Sequence, residues 1–407
     1  MHVLIIGGGA AGMAAAIAAA RRGHRPTVVE RGRKALKKLG VTGNGRGNLL
    51  NCGKGQYFGD AAFADAVLQN MPYERVAAFL EEAGIPLVHE AEGRMYPSSY
   101  LAASAVDALK WQAETLRVEI IVNTRVVKIE KKNSGFLVRA VKTVFAPDIT
   151  LKSGRVKPGE AIGEEEVSFR CDRVIVTVGG AAAPIHGTDG TSYGLLTELD
   201  HSMIPVHPAL SALTADKKAV EGLSGQRVRA RLTLCDANGK TLHESEGEAL
   251  FAEDGVSGIA AMQLSRFASD GCILHMDLRI AVTGSADMDV LSWLQSRAKT
   301  RDQRTLLTGA ASPVLSAALI RRSGSSLEKL AQTIQDFTVP VTGVRGFDSA
   351  QVTAGGVNTA EFDPSTMQSR LVPGLYAAGE VLDVDGACGG FNLMFAFASG
   401  LLAGSIE

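Results

Sequence analysis

Residues 2–30 read HVLIIGGGAAGMAAAIAAARRGHRPTVVE, and Gly7, Gly9 and Gly12 fall there in GxGxxG spacing. The run 3–6 ahead of them is unbroken apolar, as a strand buried on both faces should be. An alanine-rich stretch follows to Arg22 and Gly23. A second apolar strand, 27–29, then ends at Glu30, eighteen positions after Gly12. Strand, turn, helix, strand and acid in this order predict a dinucleotide-binding unit on a parallel sheet. Gly7 permits the tight turn, Gly9 lets a pyrophosphate approach the backbone, and Gly12 seats helix against strand. The helix N-terminus offers free N–H groups and a positive dipole end to the phosphates. Glu30 is placed to accept from the ribose hydroxyls of an adenosine. It would repel a 2′-phosphate, so FAD or NAD fits this site better than NADP.

A second glycine-rich loop, LGVTGNGRGNLLN at 39–51, holds four glycines, three asparagines and Arg46. It lacks GxxxxGK[ST], so it is no Walker loop. Following the acid-bearing strand, it is expected to run along the cofactor, with Arg46 offsetting its charge. Composition excludes several other classes. The chain has 407 residues with a formal net charge of −1, and nothing in it suits a polyanionic partner or an acidic membrane surface. Its eight histidines form no metal-ligand pair. The five cysteines are far apart and form no CxxC, which fits a reducing compartment. No apolar run reaches the roughly 20 residues of a membrane span, and the N-terminus lacks the basic start of a signal peptide. The expectation is a soluble cytoplasmic protein with no metal site, no nucleic-acid partner and no membrane partner.

Along the rest, 62–84 and 98–116 read as helices, and 118–144 alternates as an antiparallel meander. Residues 146–167, with KSGRVK and GEEE, read as a solvated hairpin tip. CDRVIVTVGG (171–180) is a further buried strand rejoining the parallel sheet. The stretch 201–300 shows β alternation around an Asn238–Gly239 turn, and 285–337 is helical. Apolar strands, glycines and a terminal helix return at 350–357 and 374–404. The fold class is therefore α/β: a Rossmann-type FAD-binding domain formed by both chain ends, with an inserted β-rich domain and a small helical domain. The expected boundaries are 1–190 and 345–407 for the first, its meander at about 118–170. The β-rich domain takes 191–284 and 327–344, and the helical one 285–326. The inserted part is expected to shape the substrate cavity.

The glycines near the end narrow the cofactor. GLYAAGE and GACGGFN precede an apolar run, 393–403, which suits a helix aiming its positive end at a flavin ring. In order and spacing, GGGAAGMAAA, GNGRGN, GRMYP, VTVGG, VTAGGV and GLYAAGEVLDVDGACGGFN resemble the BaiN/YhiN-like flavoproteins over nearly the whole chain. The resemblance implies FAD, bound non-covalently. Its contacts would be Gly7, Gly9, Ala10, Ala11, Gly12, Glu30, Arg31, Lys38, Asn44, Gly45 and Arg46. Val126 would hold the adenine side and Gly179 the strand end, while Gly379, Glu380, Gly390, Phe391, Asn392 and Leu393 would line the ribityl chain and ring. Departures from the family pattern fall at Gly47, where a cysteine is usual, and at Leu50, Met394 and Phe395.

Members of that family have been linked to reduction of ring double bonds in oxo bile acids, and others to oxidation of aminoacetone. The first reading is therefore an ene-reductase: hydride passes from reduced flavin to the β-carbon of a conjugated carbonyl and an acid protonates the other carbon. The chain has no second GxGxxG, so NADH or NADPH would bind transiently as the reductant. Tyr96, Tyr193 and His207 stand in or beside motif loops and are the candidate proton donors. The alternatives are an oxidase of a small amine and, from another class, a flavin-dependent nucleic-acid modifier or a redox-sensing flavin-binding protein.

Overall fold

The computed structural model describes residues 1–150 and 156–406, so part of the hairpin tip expected within 146–167 lies outside the described residues. The chain divides into two compact units, Met1–Val206 with Val352–Glu407, and His207–Gln351. The first is built on a five-stranded sheet of β1 (His2–Ile6), β2 (Arg25–Val29), β3 (Glu119–Ile121), β4 (Arg173–Val176) and β5 (Leu375–Ala377). Their order is β5-β4-β1-β2-β3 and every pairing is parallel. β1, β4 and β5 are buried almost throughout, which explains their continuous apolar sequences. Only edge strand β3, with Glu119 outermost, is substantially exposed.

Helix α1 (Ala10–Arg21) packs beside the last helix, Phe391–Gly404. The meander expected from 118 begins only at Thr124, as a three-stranded antiparallel sheet of Thr124–Lys131, Phe136–Phe145 and Ala161–Cys171, because Glu119–Ile121 pairs in parallel with β2 instead. The single helix read over 62–84 is two, Ala61–Asn70 and Tyr73–Glu82. Pro72 ends the first because it has no N–H to give and drives its predecessor from the α region. Met71 accordingly lies at φ −133°, ψ 74°.

The second unit is a closed six-stranded barrel. Strand Arg227–Cys235 shows why its sequence alternates: Val228, Ala230, Leu232 and Leu234 point inward, and Arg227, Arg229 and Arg231 point to solvent. Those arginines face glutamates on the neighbouring strand, Arg227 with Glu248 and Arg229 and Arg231 sharing Glu246, so most of their charge is offset. Helices Val290–Ala298, Pro313–Ser323 and Leu327–Gln335 contribute Leu294, Leu319 and Ile334 to the same apolar cluster as the barrel's Phe251 and Phe337. The sequence drew boundaries at 190 and 345 and set 285–326 apart. The compact units part at 206 and 352, and one core includes barrel and helices.

Candidate functional site

The mouth of the parallel sheet is shaped by the first glycines. Gly7 sits at φ +106°, and a Cβ on Gly12 would run into the Gly7 carbonyl. Gly9 differs. It is the N-cap of α1, no side chain caps that helix, and a Cβ there would meet nothing within 4 Å. The first-turn N–H groups therefore open onto space at the site where a phosphate is expected. Glu30 accepts from the backbone N–H of Gly8 at 2.8 Å and of Gly32 at 2.6 Å. Its carboxylate retains lone pairs for a ribose. Val126 is buried in the strand just past Glu30, whose carbonyl accepts from Thr124 N at 2.9 Å.

The neighbouring cations are braces. Arg31 donates to Gly187 O at 2.7 Å and to Asp189 at 2.9 Å. Burial pushes the Asp189 carboxyl up, but Arg31 and Thr191 outweigh it and bring the group to about 2. Lys38 pairs with Glu380 at 2.8 Å, and Glu380 in turn accepts from Thr353 N at 2.9 Å. Thr353 Oγ1 accepts from Ala181 N and Ala182 N just beyond Gly179, so Lys38, Glu380 and the end of β4 form one connected group.

Small residues set the spacing of the two helices. A Cβ on Gly400 would run into the backbone of Ala11, and one on Gly404 into that of Ala15, so the last helix lies parallel to α1 and in direct contact. Nine residues of the last helix precede Gly400, but one residue of α1 precedes Ala11. The difference, eight residues at about 1.5 Å each, carries the N-terminus of the last helix about 12 Å beyond that of α1 along shared axes. Gly390, at φ 104°, is its N-cap and brings no side-chain cap. Asn392 fixes this terminus to the chain before it: its Oδ1 accepts from Gly386 N at 2.8 Å and its Nδ2 donates to Gly386 O at 2.7 Å. Phe391 packs edge-on against Tyr57 with centroids 6.1 Å apart, and Leu393 is partly buried. Gly379 lies against Ala11.

The 39–51 loop arrives at the same terminus. Asn44 and Gly45 carry left-handed backbone, and a Cβ on Gly45 would meet nothing within 4 Å. Arg46 pairs with Glu90 at 2.9 Å and lies over the rings of Tyr96 and Tyr100, 4.6 Å and 5.0 Å from their centroids. Gly47, one of the departures, has a packing cause: a Cβ would stand 3.0 Å from Ala102 Cα. Leu50, Met394 and Phe395 are all buried, so these departures are core residues. Two asparagines escaped the sequence reading. Asn51 is buried and its Nδ2 donates to Glu92 O at 3.0 Å and Gly389 O at 2.8 Å, joining three segments. Asn48 has its Oδ1 buried beside Gly390 without a partner. Its place as the last residue of GNGRGN was the only signal.

Of the candidate proton donors, Tyr96 belongs to this cluster, buried under Arg46. Tyr193 is buried with no partner for its hydroxyl, and burial, then the charges of Glu380 and Asp383, push its ionisation above the usual tyrosine range. His207 is exposed and is the first residue of the second unit. Uncapped helix N-termini at Gly9 and Gly390, the first facing open space, fit an extended polar cofactor such as FAD.

The HI0933-like protein Rossmann domain matches residues 1–406. The chain belongs to this HI0933-like family. These are the BaiN/YhiN-like flavoprotein oxidoreductases that its motifs resemble. A 3-dehydro-bile acid delta(4,6)-reductase of Clostridium scindens is 32% identical, with 98% of this chain and 97% of the relative covered. A ribosomal RNA dihydrouridine synthase of Escherichia coli is 26% identical over 97% and 95%. Among solved structures, an open conformation of a flavocytochrome c3 fumarate reductase matches with a TM-score of 0.50 at 14% identity, covering 99% of this chain and 77% of that one. That likeness concerns the fold alone. Among the described residues, no helix is long and apolar enough to cross a membrane.

Proposed function

We propose that this family member is a cytoplasmic FAD-dependent reductase of a carbon–carbon double bond conjugated to a carbonyl, in an oxo-steroid or bile-acid-like ring. The observation that carries the reading is the pair of uncapped helix N-termini offset by about 12 Å, one for a pyrophosphate and one for a redox ring. The bile-acid reductase at 32% identity supports the substrate class. FAD, when bound and reduced, supplies the hydride, and NADH or NADPH is the reductant we assign.

The chain's own residues do the rest. The N–H groups beyond Gly390 stabilise negative charge gathering at the far end of the ring, and Arg46, its charge paired with Glu90, holds Tyr96 in place. We assign the proton for the second carbon to the Tyr96 hydroxyl. Tyr193, held protonated, donates a hydrogen bond instead. A second reading has one observation in its favour, the dihydrouridine synthase at 26% identity. The uracil C5–C6 double bond is also conjugated to a carbonyl, so the hydride chemistry is the same and only the ring presented differs.

The test is anaerobic stopped-flow reduction by NADH and NADPH, followed by reoxidation with an unsaturated oxo-steroid, a uridine-containing RNA or air. Fast reoxidation by the oxo-steroid supports the first reading, and by RNA alone the second. Fast reaction with air and release of peroxide would sink both in favour of an oxidase. A protein that takes up no FAD would overturn the flavoprotein reading.

A further inference from the structure

Val118, Ile120 and Val122 alternate through edge strand β3 and its flanks, so their side chains fall on one face. They line a groove of about 590 Å³ on the first unit, within the roughly 300–1,000 Å³ of small-molecule sites. Val118 is buried, while Ile120 and Val122 stay half-buried. Among the described residues β3 pairs only with β2, so this apolar floor is one side-chain row wide. From Val118 to Val122 it runs about 13 Å, four residues at roughly 3.3 Å each. None of the residues read for FAD lines it.

The charges around the floor are unequal at its two ends. Asn123 N donates to Gly32 O at 2.9 Å, which ties the Val122 end to the segment carrying Arg33 and Lys34. Arg33 is already committed, over the Phe145 ring and beside Asp148. Lys34 enters no ion pair among the described residues, and neither does Lys110. β2 and β3 are parallel, so the helix Ala102–Thr115 that leads into β3 runs back along it. Five residues of that helix carry Lys110 roughly 7 Å from its last turn toward the Val122 end. Arg117 and Glu114 stand at the Val118 end and offset one another. A narrow apolar row with two uncommitted cations at one end matches a linear hydrocarbon that carries one anionic head. We propose that this groove binds a medium-chain fatty acid, its carboxylate between Lys34 and Lys110 and its tail along Val122, Ile120 and Val118. This site goes beyond the function proposed above and does not depend on it.

The holoprotein is titrated calorimetrically with decanoate, decanol, butyrate and cholate, each below its micellar concentration. Decanoate is expected to bind one to one and about tenfold more tightly than decanol or butyrate, and to weaken as salt is raised. The double variant Lys34→Gln, Lys110→Gln should bind decanoate no better than decanol, and Ile120→Glu should lose it. Unchanged circular dichroism and FAD content in the variants separate these effects from misfolding. Wild type that binds no decanoate overturns the proposal. So does decanoate binding that the double variant leaves intact, because the ligand then sits elsewhere. Cholate binding more tightly than decanoate, and lost in the same variants, would make the occupant a ring system and overturn the fatty-acid assignment. A dimer that Ile120→Glu breaks would give the groove to a second copy of the chain instead.

Discussion

Two residues at the site invite direct tests. Tyr96 lies under the Arg46 guanidinium, 4.6 Å from ring centroid to cation, at the loop that reaches the last helix. If it is the acid, Tyr96→Phe leaves flavin reduction by pyridine nucleotide unchanged and slows reoxidation by the enone about a hundredfold, seen by stopped flow. Equal rates in both half-reactions would remove Tyr96 from the chemistry. Asp189 gives a pH prediction. Its carboxyl lies at about 2 when folded, below its unfolded value near 4, so the Arg31 link stabilises the protein above roughly pH 4. That contribution is lost as pH falls from about 4 to 2. Because Asp189 is 38% exposed, screening keeps it below about 1 kcal/mol. The melting-temperature gap between wild type and Asp189→Asn should shrink to zero across that window, and a gap independent of pH would refute the pairing. At this scale Gly7, Gly9, Gly12 and Glu30 were legible because a tight turn and a phosphate approach demand them locally. Asn48 was not, because its significance is the missing partner of one atom.

At the scale of elements, the contact between α1 and the last helix determines the site. Gly400 and Gly404 let the two backbones touch, which places the two N-termini on parallel axes. Gly400→Val should push the helices apart, costing about 1–3 kcal/mol by overpacking, and weaken FAD more than it lowers stability. Calorimetry and FAD titration on the same samples check this, and a variant with normal FAD affinity would show that the offset does not matter. The sequence made each helix evident through composition and glycine punctuation. The register between them was hidden, since residues 11 and 400 are related only through packing. The split at Pro72 was legible in principle, for proline restricts its neighbour whatever the fold.

For the whole molecule, the second unit has its own apolar core and a closed barrel with no open edge. The strands Met203–Ala209 and Val352–Val357, which lead into and out of it, pair with one another. The excised segment 207–351 is therefore expected to fold alone, with a single cooperative thermal transition and strand-rich circular dichroism. A disordered product would mean that its core depends on the remainder.

The sequence by itself determined the parallel sheet, the glycine turn and its acid, and the alternation of the inserted strands. These follow from local periodicity: a strand buried on both faces is apolar throughout, and a half-buried one alternates. Only the tertiary structure decided that the inserted strands close into a barrel sharing its core with the helices. It alone decided too that eight residues of helix separate the two N-termini, and that Asn48 Oδ1 is left unpaired beside Gly390. Those properties depend on which distant side chains meet, and close packing, rather than chain-local preference, fixes that.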